Sequence, residues 1–93
     1  MRRKPLDSSA AQAVAIQALT FLGADPERLE RFLTGTGLRP DTLRAAAGSP
    51  EFWAGVLDHL AADEALLIQF AEVARLAPEE VMAARQVLSP VME

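Results

Sequence analysis

Ninety-three residues with a formal net charge of −4 amount to one domain, long enough for a modest core without covalent staples. No cysteine occurs, which excludes disulfides and thiolate metal sites and fits a reducing cytoplasm, the location expected. The chain is 51% apolar but only 5% aromatic, with no tyrosine, so the core is expected to be made of Ala- and Leu-rich helices.

Arg2, Arg3 and Lys4 precede an uncharged run from Ser8 to Ala24 that has some features of a secretory signal. Gln12 and Gln17 interrupt its apolar character, and the run is short for a membrane-spanning helix. We read it as a flexible basic tail over residues 1–8 followed by a helix near 10–22. Ser9 and Gln12 have capping-box spacing at its start, and Gly23 is the expected stop.

Proline followed by an acidic residue then marks four helix starts: Pro26 with Glu27, Pro40 with Asp41, Pro50 with Glu51, and Pro78 with Glu79. Proline suits the first helical position because the amide it lacks has no intrahelical partner, and the carboxylate beside it meets the positive end of the helix dipole. Asp25, Ser49 and Asp63 are natural N-caps, and Gly35 or Gly37 and Gly48 are natural stops. Leu38 with Leu43 and Leu76 with Val81 have the spacing of hydrophobic staples. These signals predict further helices near 26–34, 40–47, 50–61, 64–75 and 78–88, within a single helical domain over 9–89 that leaves a frayed terminus at 90–93.

Residues 14–47 echo residues 52–85. At a shift of 38 positions Leu19, Leu22, Ala24, Asp25, Leu29, Phe32, Leu38, Pro40, Ala45 and Ala46 fall on identical residues, where this composition gives about three matches by chance. Two copies are too few for a solenoid. The expected fold is therefore all-α: a compact bundle of about six short helices, built from two three-helix repeats packed with pseudo-twofold symmetry.

The apolar stripes agree between copies. Ala15, Ala18, Leu19 and Leu22 share one face of the first helix, and Trp53, Val56, Leu57 and Leu60 occupy the corresponding face of the fourth. The fifth helix is apolar over a wide arc of Leu66, Leu67, Phe70, Val73 and Ala74, which predicts a central position for it. Ile16 and Ile68 fall off the stripes. With Leu66, whose counterpart is Arg28, they are candidate contacts for a partner protein or a second copy.

Charge is unevenly divided. Residues 1–47 carry seven basic and five acidic side chains, and residues 48–93 carry two and eight, a dipolar pattern suited to self-association or to a basic partner. His59, the only histidine, stands four residues before Asp63, as a helical ligand pair would. No third ligand or nucleophile joins it in any recognisable motif, so no metal, cofactor or catalytic residue is expected and His59 reads as a core-boundary residue. Phe32 to Ala47 has the rhythm of a helix-turn-helix, in which Arg39, Thr42 and Arg44 would face nucleic acid. Its second helix opens with a carboxylate where phosphate would approach, and the chain is acidic, so nucleic acid is the weaker expectation.

The run from Leu22 to Leu29, with Phe32, Leu33, Leu38, Pro40, Asp41 and Leu43 and then Asp63 to Leu67, resembles a group of small uncharacterised helical proteins from alphaproteobacteria, known only as a domain of unknown function. The resemblance covers nearly all of the chain past about residue 10 and implies a bacterial cytoplasmic protein, with no activity attached. Together these features favour a non-enzymatic interaction or self-associating module with no membrane segment.

Overall fold

A computed structural model describes residues 7–88, and these form an all-α bundle of six helices. They are α1 (Ser8–Gly23), α2 (Pro26–Thr36), α3 (Pro40–Ala46), α4 (Pro50–Ala61), α5 (Glu64–Ala74) and α6 (Pro78–Leu88). Asp7 and Ser8, read above as tail, instead open α1. The remainder of that tail and the frayed terminus read at 90–93 lie outside the described residues.

Each start has an identifiable chemical cause. Asp7, not the Ser9/Gln12 box, caps α1, its carboxylate accepting from the Ala10 amide at 2.8 Å. A carboxylate there also meets the helix dipole, so the helix begins two residues earlier than expected. Asp25, Ser49 and Asp63 cap α2, α4 and α5 as their sequence positions suggest, accepting from the amides of Glu27, Glu51 and Leu66. Glu80 reaches back to accept from the Ala77 amide at 2.8 Å at the start of α6. The Thr42 hydroxyl accepts from the Arg39 amide at 3.2 Å at the start of α3, 38 residues earlier.

The stops agree with expectation in part. Among the described residues Gly37 is the one glycine with a left-handed backbone, at φ 76°, and Gly23 and Gly48 are not used in that way. Arg75, 38 positions after Gly37, also turns left-handed, at φ 59°. There Leu76 N–H donates to the Ala71 carbonyl at 2.8 Å and Arg75 N–H to the Glu72 carbonyl at 3.3 Å, the paired bonds of a Schellman end.

The core lies where α1, α4 and α6 meet. Ala11, Ala15, Ala18 and Leu22 of α1 are fully buried, as are Val56, Leu57 and Leu60 of α4. Small alanines let α1 approach its neighbours closely. Trp53 is also core, and its indole N–H donates to the Ala47 carbonyl at 2.9 Å, tying α4 to the end of α3. Helix α5 is not central: it buries only Leu67, Phe70 and Ala71, and Val73, assigned to its stripe, is 69% exposed.

The 38-residue shift exchanges two aromatic contacts between copies. Phe21 of α1 meets Phe70 of α5 at 5.5 Å, and the corresponding residues His59 of α4 and Phe32 of α2 meet at 5.3 Å. The third helices do not share this correspondence. Helix α6 packs on α1 and α4, its Arg85 paired with Asp58, whereas α3 has no fully buried residue. Helix α3 stops after seven residues because Ser49 and Pro50, its continuation, already start α4.

Candidate functional site

The uncharged run of α1 is what makes one surface of the bundle unusual. Asp7 ends the charge at its start and Asp25 begins the next, so every solvent-facing side chain between them is neutral. In a chain that is 24% charged, such a face costs little to desolvate. Alongside it runs α5, and between them opens a groove of about 440 Å³.

Ile16, Gln17, Thr20, Phe21 and Ala24 line the groove from α1, and Phe70, Val73 and Ala74 line it from α5. Phe21 and Phe70, both buried, are its aromatic floor. Ile16 and Val73 are 46% and 69% exposed, two large apolar side chains on opposite walls. Thr20 is polar in name only, because its hydroxyl donates to the Ile16 carbonyl at 3.0 Å within the helix.

Arg28 of α2 is the one charged residue in this lining. Its guanidinium stacks on the Phe21 ring, 4.2 Å from the centroid. Asp25 lies 3.9 Å from its Nε, an ion-pair distance beyond hydrogen-bond reach, while another oxygen of the same carboxylate caps α2. The guanidinium thus lies over an aromatic face, with its carboxylate partner beyond hydrogen-bond reach.

At a shift of 38 residues the walls α1 and α5 correspond to α4 and α2, and a smaller pocket of about 300 Å³ there is lined by Phe32, Thr36 and Gly55 among others. Ile16 and Gln17 are replaced by Ala54 and Gly55, and Val73 by Gly35. A Cβ at Gly35 would stand 3.9 Å from His59 Nδ1, an ordinary contact distance. The exposed apolar side chains of Ile16 and Val73 thus have no equivalent at the positions 38 residues away, where Ala54 and Gly35 stand.

Of the partner contacts expected from sequence, Ile16 lines the groove. Leu66 is half-buried against the core edge, and Ile68 is 41% exposed on α5 but outside the groove lining. The groove adds Val73, which sequence patterning had placed on the apolar arc of the fifth helix, and Arg28, which it had marked only as the counterpart of Leu66.

The Arg39, Thr42 and Arg44 set lies on α3. Arg39 pairs with Asp41 at 3.4 Å, the Thr42 hydroxyl is bonded to the Arg39 backbone, and Arg44 is exposed in the last turn. His59 is half-buried edge-on to Phe32, and partial burial lowers its pKa below 6.5, with Asp63 opposing the shift. Among the described residues no three His, Cys, Asp or Glu side chains are grouped to hold a metal ion, and no helix is long and apolar enough to cross a membrane.

The chain belongs to the family described as Protein of unknown function (DUF3572), which matches residues 8–91. No curated protein and no solved structure matches it.

Proposed function

We propose that this protein is a non-enzymatic interaction module that binds another protein through the α1–α5 groove. The observation that carries the reading is the pairing of exposed Ile16 and Val73 across an aromatic floor, beside a helix face without charge. Cores of protein interfaces are depleted in charge and enriched in aromatic residues and arginine, and this groove has that composition. The lack of a recognisable catalytic grouping around His59 favours binding over catalysis. The cysteine-free composition and the family resemblance favour a bacterial cytoplasmic setting. Nucleic acid is the weaker reading, because Asp41 pairs with Arg39 and the Thr42 hydroxyl is bonded to backbone, which leaves Arg44 alone of the three on an otherwise acidic chain.

The test is quantitative capture from cell extract on the immobilised protein and on the Ile16→Asp/Val73→Asp double variant, with light scattering of both at several salt concentrations. The reading expects a bound protein, or self-associated mass, that the variant loses while retaining its helical circular dichroism. Identical captured proteins and identical masses for the two would overturn it.

A further inference from the structure

The chemistry of the groove narrows the kind of partner, an inference that rests on the chain being a protein-interaction module. We propose that the groove receives an amphipathic helix of a different protein, with apolar residues at i, i+4 and i+7 and a carboxylate at the end that meets Arg28.

A helix is favoured over an extended segment because both walls are helices, whose backbone groups are bonded internally. An incoming strand would find no backbone partners there, whereas a helix satisfies its own. The groove follows α1 from Ile16 to Ala24, roughly 12 Å at the helical rise, which matches two turns and hence anchors at i, i+4 and i+7.

Charge complementarity sets the polarity. Arg28 is the only charged lining residue, its guanidinium carbon 4.2 Å from the Phe21 ring centroid and its Asp25 partner at 3.9 Å. A guanidinium so placed is suited to a carboxylate that approaches along its N–H edge. A second copy of this chain fits less well. The large apolar side chains exposed on its described helices are Ile68 with Val73 on α5 and Met82 with Val87 on α6, besides the single Ile16 on α1. Each pair is five residues apart, about 140° around the helix, so neither makes a stripe that could lie in the groove.

The probe is a displayed library of randomised 16-residue helical peptides, selected on the full chain, with amide shifts mapping where the enriched peptides bind. Enriched peptides should carry the i, i+4, i+7 apolar pattern with Asp or Glu at one end, and should shift the amides of α1 and α5. Arg28→Gln should weaken them about tenfold, the scale of one charge-assisted hydrogen bond, and Ile16→Asp should abolish binding with the fold intact by circular dichroism. Indifference of the peptides to Arg28, or shifts on another face, would overturn the proposal and leave the interaction module standing. No enrichment, together with a dimer by light scattering that Ile16→Asp dissociates, would overturn it in favour of a second copy.

Discussion

His59 shows how one side chain's role follows from its neighbours. Its counterpart is Phe21, and like Phe21 it packs on the large buried phenylalanine of the opposite copy. Partial burial disfavours the imidazolium, and Asp63 only partly offsets that. The folded state therefore releases its proton at a lower pH than the unfolded state. Between the lowered folded value and 6.5 the unfolded chain binds more protons, so stability should rise with pH through that window and be complete above it. His59→Phe should flatten this part of the profile, as read from urea midpoints at closely spaced pH values. A slope that persists unchanged in the variant would assign it to other groups. The boundary position of His59 and the core position of Trp53 were legible from the repeat. Exposure of Val73 was not, because at 100° per residue it shares an arc with Leu66 and Phe70, and only the narrowness of α5's packing reveals that the arc is not all buried.

The helices themselves were the most legible part of the chain. Four proline-acid starts and the caps Asp25, Ser49 and Asp63 act locally, so they could be read without knowing the fold. Stops were harder, since a left-handed residue need not be glycine. Gly37 and Arg75, 38 positions apart, both end a helix left-handed, and only Arg75 bears the steric cost of a Cβ there. Arg75→Gly should stabilise the protein by about 0.5–1 kcal/mol, the relief of that cost less the extra freedom of the unfolded chain. Gly37→Ala should destabilise it by about 1 kcal/mol. Urea unfolding of the two variants checks both, and shifts of the same sign would refute the account of these helix ends.

At the scale of the whole molecule, some residues 38 positions apart keep equivalent roles and others do not. Phe32 and Phe70, Leu22 and Leu60, and the caps at Asp25 and Asp63 keep equivalent roles. Helix α6 docks across α1 and α4, whereas α3 stays peripheral, a difference that the matching Leu38 and Leu76 could not foretell because it depends on how far each helix continues. The other divergence gives the α1–α5 groove its exposed apolar walls: Ile16 and Val73, where the positions 38 residues away hold Ala54 and Gly35. The uncharged stretch of α1 was visible in the sequence, but its juxtaposition with α5 required the fold. Site-specific photo-crosslinking in living cells tests the role of the groove most directly, with the crosslinker placed at Thr20 on the groove wall or at exposed Glu79 on α6. The groove account predicts a discrete protein adduct from position 20 and none from position 79. Adducts from position 79 alone, or the same adducts from both, would contradict it.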